Sequence, residues 1–504
     1  MTTATDSRKA TGLPGCEWAG RRLHFVGIGG CGLSGLAQLL HRRGALCSGS
    51  DNVPSELTGT LQAEGIAVSH QQTAQSVPDP CDMVIASAAI KPDHAELAAA
   101  RRRGIEVLTY AQALGRVQAR HTGISIAGTH GKSTTAAMLC HVLIRCGLDP
   151  SFIIGANCPQ IGGGSRVGAD MIPGTPAPGT PGGTPGTPFT GPPTGRPGLL
   201  VAEACEFNRS FHFHRPVIGL IGNVEEDHLD VYESLDAIIE AFAVFARLLP
   251  PARQDGRLLI AHDGAHRQRI TADVRCAVET FGTSSDADFQ VVFEACSRRV
   301  AVVRRGDALA EWTNVMAGEH NALNAAAAAV LAHIVGASWP AIAAALNDFQ
   351  GVERRMQRLG RRQVAGGEVV VYDDYGHHPT EIAATLEALR TSEQPRRLIC
   401  VFQPHQHSRT RFLLEQFAAS FRAADVVIVP DIYFVRDSRI EKHRVTAADL
   451  VDRLRQRNVT AMHLYPFEAI VEQLEVMCRD GDLVVIMGAG PVWQVARRFL
   501  ARQQ

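Results

Sequence analysis

At 504 residues the chain is too long for one core, and at roughly 100 to 200 residues per domain it divides into about three. Apolar and charged fractions of 45% and 20% are those of a globular protein, and a net charge of -1 removes any electrostatic reason to expect a nucleic acid or an anionic membrane as partner. The opening "MTTATDSRKATGLPG" lacks the apolar stretch of a signal peptide, no apolar run approaches the roughly 18 residues of a membrane span, and twelve scattered cysteines include no C-x-x-C pair. A soluble cytoplasmic protein, without membrane insertion or a disulfide framework, is the expectation.

Residues 1–18 read as a flexible tail and 19–120 as a first domain. "RRLHFVGIGGCGLSGLAQLLHRRGALCSGSD" is an apolar strand, a glycine turn, an amphipathic helix ended by Gly44 and a second strand, the start of a parallel sheet. "CDMVIASAAI" and "GIEVLTY" continue it. Gly27, Gly29 and Gly32 spell G-x-G-x-x-G, and Asp51 follows the second strand where dinucleotide folds place a ribose-binding acid. Taken alone this says NAD. The chemistry itself asks only for backbone N–H groups and a helix N-terminus that hold a phosphate or diphosphate, and a turn needed for close helix packing has the same appearance.

A second domain, 121–350, begins at "TGISIAGTHGKSTTAAMLCHVLIRCG", again strand, turn, helix and closing glycine. The stretch ends like a phosphate-binding loop, but the first glycine of G-x-x-x-x-G-K-[ST] is replaced by Ile126. The physical requirements survive: glycines that let the backbone approach, Lys132 to neutralise phosphate charge, and Ser133 and Thr134 opening a helix. "VAEACE" places Glu203, and "GNVEEDHLD" places Asp227, His228 and Asp230, after apolar strands whose C-terminal ends converge in a parallel sheet, a donor set suited to Mg²⁺ bound with a triphosphate. Within this domain the Pro/Gly/Thr-rich segment 170–198, its P-G-T-P repeats running from Pro173 to Gly198, cannot bury enough apolar surface to order itself and reads as a disordered insertion.

The third domain, 351–504, repeats the alternation in "EVVVYDDYGHHPTEIAATLEALR", "RRLICVFQPHQHSRTRFLLEQFAASF", "ADVVIVPDIY" and "GDLVVIMGAGPVWQVARRFLARQ". Arg354 and Arg355 sit at its boundary, where an arginine can swing onto a γ-phosphate. Asp374, His377, His378, His405 and Arg409 follow consecutive strands on one sheet edge. Their histidine density suggests zinc, but no H-E-x-x-H or Cys/His spacing supports it, and anion and amine recognition fits better.

These motifs, with "HNALNAAAA", "GVERRMQ" and the late "MGAG", resemble the Mur ligase family of peptidoglycan synthesis, in order through nearly the whole chain outside the tail and the insertion. The shortened "GTHGK" is that family's own phosphate loop. The resemblance implies an N-terminal Rossmann-like, a central P-loop ATPase-like and a C-terminal Rossmann-like α/β domain. It implies an ATP-dependent ligase that joins L-alanine to the lactyl carboxylate of UDP-N-acetylmuramate through an acyl phosphate, with Mg²⁺. The first domain would hold the UDP-sugar at Gly29, Gly30, Ser34, Asp51, His70 and Ser87. ATP would bind at Gly128, Thr129, His130, Gly131, Lys132, Ser133 and Thr134, with Asn321 and Asn324 at the adenine and Arg355 and Asp374 from the third domain. Mg²⁺ would rest on Ser133, Glu203 and His228; His378 and Arg409 would face the amino acid; Lys132, Glu203, His228 and Arg355 would carry the catalysis. Two residues depart from the pattern: Gln406 stands where many relatives have arginine and Cys205 where others have aspartate. No lysine occurs from Leu229 to Gly256, so a carbamylated lysine is not expected. Another ligase on the same scaffold, one that recycles murein tripeptide onto the same sugar nucleotide, would differ only in its amine pocket. Whether the chain acts as a monomer or a homodimer does not follow from these motifs.

Overall fold

The computed structural model describes residues 17–172, 195–227, 231–364, 367–435 and 437–501. They form three consecutive α/β domains, each on its own sheet. In the first sheet Arg22–Val26 lies at the centre, with Leu46–Ser50 and Ala67–Ser69 on one side and Met83–Ala86 and Glu106–Thr109 on the other, all parallel. Leu23, Phe25, Val84 and Ile85 are buried between the covering helices, and Met83–Ala86, buried throughout, reads as an unbroken apolar run.

The second sheet has ten strands and is parallel from Ser151–Ile153 through Leu199–Glu203, Thr122–Ala127, Ile218–Ile221, Arg257–Ala261 and Ala277–Gly282 to Phe289–Glu294. Both edges turn antiparallel: Ser165–Arg166 pairs with Ser151–Ile153, and Arg299–Arg304 and Asp307–Thr313 complete a meander after Phe289–Glu294. The helix Lys132–Arg145 packs against Glu319–Ile334, whose run from Ala325 to Ala332 is wholly buried; alanine side chains let the two helices approach closely.

Of the insertion 170–198 expected to be disordered, residues 173–194 lie outside the described residues, and the expectation does not hold for its ends, 170–172 and 195–198. Its two flanks are ordered and closed on each other. Met171 bridges Pro197 antiparallel, Ile172 N donates to Arg196 O at 3.0 Å and Gly198 N to Asp170 O at 2.7 Å. The insertion therefore leaves the domain through a paired neck.

In the third sheet the antiparallel pair Gln357–Val364 and Gly367–Asp374 leads into the parallel strands Asp482–Met487, Arg397–Phe402, Val426–Val429 and Thr460–His463. Asp374, Met487 and Phe402 stand level in register, so the loops after these three strands share one edge. Among the described residues no helix is long and apolar enough to cross a membrane, and the described cysteines are free thiols.

Candidate active site

The strands Thr122–Ala127, Leu199–Glu203 and Ile218–Ile221 are adjacent and end together, so the loops 128–131, 204–206 and 222–227 meet at one sheet edge. The phosphate-loop sequence occupies its centre. Gly131 has φ of 78° and caps the helix Lys132–Arg145; a Cβ there would stand 2.5 Å from Asn324 Oδ1, so both conformation and space demand glycine. Asn324 Oδ1 accepts from Thr135 Oγ1 at 3.1 Å, and Asn324 Nδ2 reaches Asn321 Oδ1 at 3.4 Å. Both asparagines thus face the loop.

Lys132 Nζ donates to the carbonyls of Gly128 and Thr129, at 2.5 and 3.0 Å, and lies 2.9 Å from the buried Glu206 carboxylate. Burial opposes its charge, but Glu206 outweighs that and keeps the ammonium above its ordinary range. Ser133 Oγ donates to Glu203 Oε2 at 2.9 Å, while Glu203 Oε1 accepts from Gly155 N. A hydroxyl and a carboxylate side by side at the mouth of the loop are the hard oxygen donors that Mg²⁺ takes. His228, the third expected ligand, lies outside the described residues.

The third domain closes over this edge. A cavity of about 490 Å³, well within the range of small-molecule sites, is lined by His130, Gly131, Thr134, Asn321 and Asn324 from the middle domain and by Arg355 and Asp374 across the junction. The Asp374 carboxylate accepts from the amides of Met356 and Gly376, at 2.6 and 2.5 Å. Burial nevertheless pushes it up to about 6, against the lowering effect of Arg355 and of those two amides. The Arg355 guanidinium lies 4.8 Å from the Tyr375 ring centroid. Of the expected ATP set, these seven residues line the cavity, while Gly128, Thr129, Lys132 and Ser133 are not among its lining residues.

Beyond the cavity, His378 and Arg409 meet the loop 225–227. His378 Nε2 lies 3.1 Å from Glu226 O, and Arg409 forms a buried ion pair with Asp227 at 2.7 Å. His130 Nδ1 is 3.2 Å from Glu381 Oε1; burial opposes its charge, but Glu381 and Glu225 raise it to about 9. His377 and His378 are lowered by burial, His377 to about 4.

The UDP-sugar candidates lie on the first sheet. Gly29 N and Val53 N donate to the two Asp51 carboxylate oxygens at 2.9 and 3.1 Å, so this acid organises the glycine turn. His70 Nδ1 is 3.0 Å from Asp51 O, and Ser87 Oγ accepts a weak 3.4 Å bond from Ala89 N. Ser34 differs: it is buried one turn into the helix Cys31–Arg42, its hydroxyl donating to Cys31 O at 3.0 Å, whereas Gly30 caps the exposed end of that helix. Gln406 is buried at the start of the helix His407–Phe412 with φ of 66°.

Several residues that hold the site were not singled out from the sequence. Asn223 Oδ1 accepts from His130 N at 2.7 Å and its Nδ2 donates to His130 O at 3.1 Å, clamping the loop backbone; Thr129 Oγ1 accepts from Glu225 N at 2.9 Å. Glu206 and Glu381 neutralise Lys132 and His130. Each stands inside one of the motifs, Glu206 in "EACE", Asn223 in "GNVEEDHLD" and Glu381 in "YDDYGHHPTE", but only the acid pair of "EACE" beside a lysine loop offered a charge argument.

Three family models match in order along the chain: residues 22–122 the Mur ligase family catalytic domain, 126–332 the Mur ligase middle domain and 354–490 the Mur ligase glutamate ligase domain. The chain belongs to the Mur ligase family. It is therefore an ATP-dependent, amide-forming ligase. Among curated members of the Mur ligase family it is 35% identical over 482 residues to UDP-N-acetylmuramate-L-alanine ligase of Desulfitobacterium hafniense (strain Y51), covering 95% of this chain and 99% of that one. It is 36% identical over 484 residues to the protein of the same name from Clostridium novyi (strain NT), with 95% and 97% covered. Solved structures share the fold. The UDP-N-acetylmuramate-alanine ligase of Thermotoga maritima superposes with a TM-score of 0.74 at 24% identity, and a murein peptide ligase of Psychrobacter arcticus 273-4 with 0.66 at 23%; each comparison covers 95% of this chain and 98% of the other.

Proposed function

We propose that this Mur ligase joins L-alanine to the lactyl carboxylate of UDP-N-acetylmuramate in the cytoplasm, giving UDP-N-acetylmuramoyl-L-alanine, ADP and phosphate for peptidoglycan synthesis. The observation that carries the reading is the convergence, on one cavity edge, of the phosphate loop with Arg355 and Asp374, and of His378 and Arg409 just beyond. The curated relatives support the choice of substrates.

A carboxylate resists attack by an amine, so its oxygen first takes the γ-phosphoryl group of ATP and becomes an acyl phosphate. Lys132, exchanging Glu206 for phosphate oxygens, and Arg355, reaching across the domain junction, offset the charge that develops. Ser133 and Glu203, with His228 as the expected third ligand, would hold Mg²⁺, which would supply further neutralisation of phosphate charge. The alanine carboxylate faces Arg409 and its amine faces His378, which burial lowers, so that the imidazole is neutral and has a lone pair for the proton that the attacking amine sheds. The amine attacks the acyl carbon, and the tetrahedral intermediate collapses to the amide with loss of phosphate. Acyl phosphates hydrolyse, and the contact of the third domain with the loop 225–227 is what shields this one from water.

A phosphate-release assay with UDP-N-acetylmuramate and a panel of amino acids and murein tripeptide tests the reading. Release that requires both the UDP-sugar and L-alanine is expected. ATP hydrolysis indifferent to both, or release driven only by the tripeptide, would overturn it.

A further inference from the structure

His130, Glu225 and His378 come from three separate segments and two domains, yet one donor atom from each lies within 4.8 Å of the others. The surrounding hydrogen bonds decide which atoms these are. Glu381 Oε1 holds His130 Nδ1 at 3.2 Å, which turns Nε2 toward Glu225; that Nε2 is buried, has no hydrogen-bond partner, and stands 3.6 Å from Glu225 Oε2. The Glu226 carbonyl takes His378 Nε2–H at 3.1 Å, leaving Nδ1 as the lone-pair nitrogen, now occupied only by a long 3.3 Å bond from Thr380 N. Thr380 Oγ1 donates to Glu225 Oε2 at 2.6 Å and fixes the carboxylate. Two imidazole nitrogens and a carboxylate therefore converge, with a cation displacing the proton that Glu381 and Glu225 favour on His130, and each is held from behind by an outer partner as metal-binding side chains are.

We infer that this triad is a second metal site, separate from the Ser133 and Glu203 oxygens, that takes a borderline-soft divalent cation such as Zn²⁺. Two nitrogens and one carboxylate suit zinc, with water completing four-coordination, whereas Mg²⁺ strongly prefers oxygen. Zinc bonds of about 2.0 to 2.2 Å require the three side chains to close in by roughly an ångström, a movement within reach of a partly exposed glutamate. No local spacing betrays the site, because its ligands are 95 and 153 residues apart along the chain, from 130 to 225 and from 225 to 378. A bound ion would tie the phosphate loop to the third domain and take His378 away from the amine, so the site is inhibitory.

Full-length protein in excess Mg²⁺ is titrated with Zn²⁺ by calorimetry and with Co²⁺ by visible absorption. One equivalent is expected to bind, with a cobalt spectrum free of thiolate charge transfer even though Cys31, Cys205 and Cys296 are exposed. Glu225→Gln should weaken zinc binding at least tenfold, Glu381→Gln about 10- to 100-fold through the outer shell, and Glu203→Gln less than about twofold. Zinc inhibition of amide formation should weaken with Glu225→Gln in the same proportion as binding. The exposed Thr380→Val, which keeps the ligands and the buried residues, serves if either glutamate variant fails to fold and should cost at least threefold. Absence of stoichiometric binding, equal affinity in wild type and Glu225→Gln, or a thiolate band would each overturn the site.

Discussion

Asn223→Ala removes the side chain that grips the phosphate loop from both sides. Two hydrogen bonds are lost, from His130 N at 2.7 Å and to His130 O at 3.1 Å. At a net value of about 1 kcal/mol each, the loop loses about 2 kcal/mol of restraint. The backbone bond from Thr129 N to Asn223 O and the bond from Glu225 N to Thr129 Oγ1 survive, so the loop loosens rather than unfolds. If nucleotide binding must restore the order, about 2 kcal/mol becomes roughly a 30-fold loss of ATP affinity, since 1.4 kcal/mol is tenfold. Equilibrium binding of ADP and KM for ATP in a phosphate-release assay measure this, with thermal melting as the control for folding. Asn223→Asp should be worse than alanine, because it keeps the acceptor but sets a negative charge against the His130 carbonyl and the phosphates. Nucleotide affinity within about twofold of wild type, in a variant that melts normally, would refute the clamp.

Lys132→Ala should lower amide formation by at least about 10²- to 10³-fold while leaving UDP-N-acetylmuramate binding by calorimetry intact, because the glycine turn stands on a different sheet; retained turnover would remove the role given to the lysine. Arg409→Ala takes a paired cation away from the buried Asp227 carboxylate and should cost up to about 3 to 5 kcal/mol in urea unfolding, and Arg409→Ala with Asp227→Ala should regain most of it. If Arg409 also binds the amino-acid carboxylate, the double variant keeps a raised KM for alanine; recovery of KM along with stability would make the arginine purely structural. His214, buried against Ser125 Oγ at 2.9 Å, is lowered by burial from 6.5 to about 4. A lowered histidine contributes stability above its unfolded value that is lost as pH falls, so between pH 7 and 5 this group costs about 2 kcal/mol. His214→Gln should flatten that part of the pH profile of the melting temperature, and an unchanged profile would show that the buried imidazole is not responsible.

The first domain is the part most legible in the sequence, because its strands are covered on both faces and its turn is written in glycine. The meander Phe289–Thr313 is not anticipated. It lies at a sheet edge where apolar and polar residues alternate, and its charged turns at Ser297–Arg298 and Arg305–Gly306 read as loop. Within the site, the residues that touch substrate chemistry stand in contiguous motifs and can be read. Their supports cannot: Asn223 grips His130 across 93 positions and Glu381 reaches it across 251, and no local pattern encodes a partner that remote. Glu206 was within reach of a charge argument, since a buried lysine requires a carboxylate and one stands three residues after Glu203.

Three carboxylates, of which the sequence singles out only Asp227, explain how so basic a site exists without substrate. Lys132 rests on Glu206, Arg409 on Asp227 and His130 on Glu381, each pair largely out of water. An isolated buried cation would cost several kcal/mol, so these positions require an internal anion until an external one arrives. Binding of a triphosphate or an amino-acid carboxylate is then an exchange of one anion for another at a site already dehydrated. Such an exchange gives little net attraction to a single weak anion, because the resident carboxylate is as good a partner. It favours a ligand that displaces the resident while adding contacts elsewhere, as the proposed nucleotide would if it spans Asn324, the phosphate loop and Arg355. Selectivity at this edge therefore comes from the number of exchanges a ligand makes at once, and the third domain supplies the last of them.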